Sequence, residues 1–332
     1  PSSSDTFVTY VIIPGPGPNP DADYGTDFLL NNQPGPFVSG TVMIPAGDLS
    51  ADIDLNVVDD NIQEADEDVT VQIVLVSGDP QISIDTSMDQ ATATIVDDDL
   101  PTFIVYNTMA NEEDGTIDFL IELTSPIDVD VDVFLTLTDG TATGASIPLS
   151  PASGVEDYNN ANTGLATFTA NGGNGLFQVI SVAINDDIWV ELDEDFTAQL
   201  IVDGASLPNT LPDGREINIL DDQDPGQAYG QALIKDNDKA TFTIDADGEG
   251  LDPSVVEGTD VGDGDPYNAG SPYTMVPFTV SLSNPIDTSV TVDVNFGGGD
   301  ATGGAFLPAF GTDYDNSTQM LTFAPGDLAM SL

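Results

Sequence analysis

The chain has 332 residues, with 58 acidic side chains against 3 basic ones, a formal charge of −55, and neither histidine nor cysteine. Such a charge repels nucleic-acid phosphate and offers no polybasic patch to an anionic membrane. The missing His and Cys remove Ser-His-Asp triads, thiol nucleophiles, zinc knuckles, haem ligation and disulfide frameworks, so no enzyme of those classes is expected. No stretch approaches the ~20 continuous apolar residues of a membrane span, so no membrane insertion is expected. An apolar fraction of 40%, gathered in β-rich runs, is enough to build cores.

In chain order, the first recurring elements are Tyr24-Gly-Thr-Asp27-Phe28, a strand in Thr41-Val-Met-Ile-Pro-Ala-Gly-Asp48, and the acidic run Asp59-Asp60-Asn-Ile-Gln-Glu64-Ala-Asp-Glu67. A strand from Val69 to Val76 follows, and the closing run is Thr94-Ile-Val-Asp97-Asp98-Asp99. A second copy opens at Thr102-Phe103 and continues through Glu113-Asp-Gly, Leu123-Thr-Ser-Pro-Ile-Asp128 and Glu156-Asp157-Tyr158. It repeats the acidic run at identical spacing, Asp186-Asp187-Ile-Trp-Val-Glu191-Leu-Asp-Glu194, and closes on Asp236-Asn237-Asp238. The third copy opens at Thr241-Phe242 and carries Leu282-Ser-Asn-Pro-Ile-Asp287, Phe310-Gly-Thr-Asp313-Tyr314 and Leu321-Thr-Phe323.

Register-preserving recurrence over such periods marks a repeat architecture. The units read as 1–99, lacking its first strands, 100–238, complete, and 239–332, stopping before its acidic run; the natural polypeptide is expected to continue in both directions. Val129, Val131, Val133, Leu135 and Leu137 fall on one face, with Asp130, Asp132, Thr136 and Thr138 mostly on the other, which is the period of a half-buried strand. Most of the acids are Asp, which disfavours helix and suits turns and oxygen-ligand loops. The expected fold is all-β: tandem immunoglobulin-like Greek-key sandwiches forming an extended rod. The stretch from Asp203 to Gln231 reads as a long surface loop, which costs the fold little.

Clustered carboxylates repel by roughly 4 kcal/mol at ~4 Å and intermediate dielectric, and only three cationic side chains exist to offset this. A divalent metal is the expected neutraliser, and an all-oxygen donor set favours Ca²⁺. In the second copy the candidates are Glu113, Asp157, Asp186, Asp187, Glu191, Glu194, Asp236 and Asp238, with Asp221, Asp222 and Asp224 as a rival closing set. Asp245-Ala-Asp247-Gly-Glu249-Gly250 resembles the start of an EF-hand loop, but Val256 stands at its twelfth place and strands flank it.

Taken together and in this order, Glu113-Asp-Gly, Asp139-Gly-Thr-Ala142, Glu156-Asp157-Tyr158, Asn185-Asp186-Asp187 with Glu191 and Glu194, and Asp236-Asn-Asp238 resemble the Calx-β family. The resemblance implies an immunoglobulin-like sandwich with Ca²⁺ at one pole. Carried over by position, it marks Asp27, Asp59, Asp60, Glu64, Glu67, Asp97, Asp98 and Asp99 in the first copy, and Glu257 and Asp313 in the third. By analogy with repeats of very large bacterial adhesins, the expected role is a Ca²⁺-stabilised stalk of a secreted cell-surface protein serving attachment or gliding. Its partners would be neighbouring repeats and a surface polysaccharide or cell-surface protein. A Ca²⁺-sensing regulatory module and a carbohydrate-active enzyme using Glu191 and Glu194 are the rival readings.

Overall fold

The structure, a computed structural model, describes residues 2–31, 39–145, 155–161, 164–221, 229–246, 276–297, 301–304 and 314–332. They form strands, turns and two single-turn 3-10 helices, Glu112–Asp114 and Ala170–Gly172, with no α-helix among the described residues. Alternation decides which side chains turn inward. Val131, Val133 and Leu135 of the strand Val131–Asp139 are at most 4% exposed, while Asp132 between them accepts a hydrogen bond from Thr167 on the neighbouring strand. Val129 lies before the strand begins and is exposed.

In the second repeat the strands make two sheets. One has the order Ala166–Phe168, Val131–Asp139, Glu194–Val202, Tyr229–Lys235, Thr108–Asn111. The other has the order Phe177–Ala183, Thr116–Leu123, Thr102–Val105, Asn218–Asp221. Strands adjacent in space are seldom adjacent in sequence, as in a Greek key. The core between them includes Phe103, Phe119, Phe168 and Phe196, all essentially unexposed. Tyr158 stacks on Phe196 with ring centroids 4.1 Å apart, and its hydroxyl donates to Asp139.

The opening segment changes sheets part-way. Thr102–Val105 pairs in parallel with Asn218–Asp221, and after Tyr106 and Asn107 the chain pairs in parallel with Tyr229–Lys235 in the other sheet. Gly230 permits this crossing, since a Cβ there would stand 2.7 Å from Val105 Cγ1 and only glycine allows so close an approach.

The first repeat has a sheet of order Gly40–Ile44, Thr6–Ile13, Glu67–Ser77, Gln90–Ile95, and the pair Phe28–Leu30 with Leu55–Val57. Tyr10, Phe28, Leu30 and Val69 form its core. The third repeat has the sheet Phe242–Ala246, Phe278–Leu282, Ala329–Ser331 and the pair Val290–Val294 with Gln319–Phe323, around Val280, Leu282, Leu321 and Phe323.

Successive repeats meet through the same two loops. Gln63, in the first acidic run, forms a parallel bridge to Ile127 of the second repeat's Pro-Ile-Asp turn, and Val190, its counterpart in the second run, does the same with Ile286 of the third. At the first junction Gln63 N donates to Pro126 O (3.0 Å) and Asp128 N to Gln63 O (3.1 Å). At the second, Val190 N donates to Pro285 O (3.0 Å) and Asp287 N to Val190 O (3.3 Å).

Candidate metal centres

The first repeat gathers Asp27, from the turn before Phe28–Leu30, with Glu64 and Glu67 at the entry to Glu67–Ser77; each offers an oxygen within 4.8 Å of the others. Asp27, Asp59, Asp60, Glu64, Glu67, Asp97, Asp98 and Asp99 all line one small cavity. Burial, then the hydrogen bond and charge of Asp27, push Glu67 up to about 8. Glu64 is raised by burial and by Asp27, Asp60 and Asp128, the last belonging to the next repeat. Asp99 is raised by burial and by Asp98, Asp60 and Asp59. Burial also raises Asp97, against a lowering contribution from Arg215.

In the second repeat two groups form. Glu112, Asp236 and Asp238 make one and Asp157, Glu191 and Glu194 the other, each with oxygens within 4.8 Å. The member from the 3-10 turn is Glu112, whereas the sequence singled out Glu113. Asn111 and Asp114 cap that single turn, and Gly115 ends it in the left-handed region at φ 70°. The turn directs the first acid inward and leaves Glu113 exposed. Burial and the charges of Asp236, Asp187, Glu191 and Asp238 push Glu112 up to about 8.

Asp187 lies between the two groups, raised by burial and by Asp238, Asp157 and Asp236; its carboxylate accepts Trp189 N at 2.8 Å. Glu191 is pushed up to about 8 by burial and by Asp187 and Asp157. Glu194 also rises to about 8, through burial and a hydrogen bond with Asp157. Asp186 is exposed and acts on Asp238 from outside. Of the rival closing acids, Asp236 and Asp238 are in the cluster, while Asp222 and Asp224 lie outside the described residues, as does the side chain of Asp221. Glu257 and Asp313 also lie outside them, with most of the EF-hand-like stretch after Ala246.

The donor set fits a hard dication. Glu112 is 6% exposed, and its Oε2, like Asp238 Oδ2, is buried without a hydrogen-bond partner. A buried carboxylate oxygen left unpaired is costly unless it is protonated or meets a cation. Glu112→Gln should therefore weaken Ca²⁺ binding by the second repeat about tenfold or more, and Glu113→Gln should leave it unchanged. Calorimetric titration of the two variants checks this; equal losses would remove Glu112 from the ligand set.

The chain matches the Calx-beta domain over residues 19–99, 101–223 and 266–330. It belongs to that family, as three tandem copies. No curated protein matches it. Among solved structures, the apo-form Calx CBD1 domain is 17% identical, covers 42% of this chain and 100% of its own, and has a TM-score of 0.30. The calcium-binding domain CBD12 of CALX1.1 is 21% identical over 60% of this chain and 68% of its own, TM-score 0.23. A two-domain protein from Bacteroides fragilis is 11% identical over 59% and 70%, TM-score 0.27.

Proposed function

We propose that the chain is a Ca²⁺-stabilised structural segment of a secreted, multi-repeat bacterial surface adhesin, a stalk that carries attachment or gliding forces between cell and surface. The observation that carries the reading is the position of the acidic clusters. Glu64 and Glu191 each directly follow the residue that bridges to the next repeat, so a dication there would tie down the loop that makes the joint. Family membership and the all-oxygen donors support Ca²⁺ as that ion, and external Ca²⁺ is abundant enough for sites of ~10⁻⁴–10⁻³ M affinity. No helix among the described residues is long and apolar enough to cross a membrane. The role is structural and non-catalytic, with neighbouring repeats as partners along the chain and a surface polysaccharide or protein as the adhesive target of the whole molecule.

Small-angle scattering and surface labelling test the proposal. With Ca²⁺ the particle should be longer and narrower in its distribution of dimensions than in excess chelator, and antibodies to this segment should stain intact cells. Identical scattering curves, or staining only after lysis, would defeat the stalk reading.

A further inference from the structure

The two junctions share their backbone pairing but differ in what surrounds it. At the first, the guanidinium of Arg215, the chain's single arginine, reaches across the joint. Its Nη1 donates to the Gln63 carbonyl of the first repeat at 3.1 Å. Its Nη2 pairs with Asp128 at 2.7 Å and Asp213 at 2.8 Å, with the arginine side chain 15% exposed. Gln63 Nε2 answers by donating to Glu216 O, so two side chains cross the boundary in opposite directions.

Arg215 is held in place by its own small hairpin. Thr210 bridges Glu216, Leu211 N donates to Arg215 O, and Ile217 N donates to Asn209 O. Leu211 and Ile217, 0% and 2% exposed, fasten this hairpin to the second core. A fork so pre-positioned binds a carbonyl and two carboxylates with little further ordering.

At the second junction the residue in place of Gln63 is Val190, packed against the third core. Trp189, the chain's single tryptophan, lies against Gly326, where a Cβ would come 3.1 Å from its ring. Among the described residues the ion pairs are those of Arg215 at the first junction. Asp287 repels charge at Glu191 and Glu194 as its counterpart Asp128 does at Glu64, but among the described residues it forms no ion pair.

We infer that Arg215 is a built-in clamp that keeps the first junction fixed even when the Asp27–Glu64–Glu67 group beside it holds no metal, whereas the second, lacking a guanidinium, is set by a dication at the Asp157–Glu191–Glu194 group. One joint is then constitutive and the other ion-dependent. The second half of this inference rests on the Ca²⁺ reading above; the clamp does not.

The natural chain has no cysteine, so spin labels at Met88→Cys and Val179→Cys report the first junction and labels at Val179→Cys and Met320→Cys the second. In excess chelator the first distance distribution should stay narrow and the second should broaden at least twofold, narrowing again with Ca²⁺. Arg215→Gln should broaden the first by a similar factor in chelator without altering the second, and Arg215→Lys should restore it only in part. If Arg215→Gln fails to fold, Asp128→Asn removes a carboxylate that seats the guanidinium and should broaden the same distance. Trp189 emission gives a label-free check, shifting to the red on chelation.

An unchanged first distance in folded Arg215→Gln, or equal broadening of both junctions by chelator in the natural sequence, overturns the clamp. A second distance indifferent to Ca²⁺ overturns the ion-dependent joint and the metal reading of that site, while leaving the clamp standing.

Discussion

Raising Ca²⁺ from chelator-buffered levels to 10 mM should raise the melting temperature of the second repeat on the order of 15 °C, given ~10⁻⁴ M sites, ~2.7 kcal/mol per site and ~3 °C per kcal/mol. Two sites contribute, because Glu112 with Asp236 and Asp238 and Asp157 with Glu191 and Glu194 are separate groups. The ion acts on repulsion that no ion pair offsets in these loops among the described residues. Asp187 lies close enough to members of both groups for its charge to count in each, so removing the dications returns mutually repelling charge to both sets of loops. Changing Asp187→Asn together with Glu191→Gln should abolish most of the Ca²⁺-dependent rise in scanning calorimetry. Superimposable melting curves with and without Ca²⁺ would remove the metal from the account of stability.

The ion-free protein should become more stable as the pH falls from about 8 towards about 4.5, opposite to a protein whose carboxylates are paired with cations. Glu67, Glu112, Glu191 and Glu194 are each pushed up to about 8 by burial and neighbouring carboxylates. The native state therefore binds protons more tightly than the unfolded chain, whose glutamates titrate at about 4.3. The stabilisation is complete below the unfolded value and lost as the pH rises through the folded one. Asp195, held low by hydrogen bonds from Thr141, and Asp213, whose burial is outweighed by hydrogen bonds from Arg215, act the other way. Their contribution is lost as acid protonates them below about 4, which places the optimum at about pH 4.5. Ca²⁺ should reverse the trend, because it displaces the protons these glutamates hold at pH 7. Titrations in two buffers of different ionisation enthalpy should show proton release on binding and affinity rising towards pH 9. Binding without proton release would mean that these glutamates are already ionised.

Much of the sandwich was readable because its signals are local. The alternation from Val131 to Leu135 needs no tertiary information, and the identical spacing of Asp59-Asp60…Glu64…Glu67 and Asp186-Asp187…Glu191…Glu194 marks loops that the fold brings to equivalent places. The choice between Glu112 and Glu113 was not readable, since adjacent acids differ only in which way one capped turn points them. Arg215 was hidden for another reason. Its segment reads as a long surface loop, and only the anchoring of Leu211 and Ile217 in a core formed from distant residues turns that loop into a support for a cation. The signal available was composition: one guanidinium among 58 acids has few places to stand without consequence.

The parallel pairing of the opening and final strands of the second repeat decides how that unit answers a pull on its two ends. Thr102–Val105 beside Asn218–Asp221, and Thr108–Asn111 beside Tyr229–Lys235, run in the same direction. Traction applied at the start of one strand and the finish of its neighbour slides them lengthwise past each other. The slanted cross-links of each ladder are then loaded simultaneously in shear instead of being unzipped one by one, and the unit yields only when a whole rung set gives way.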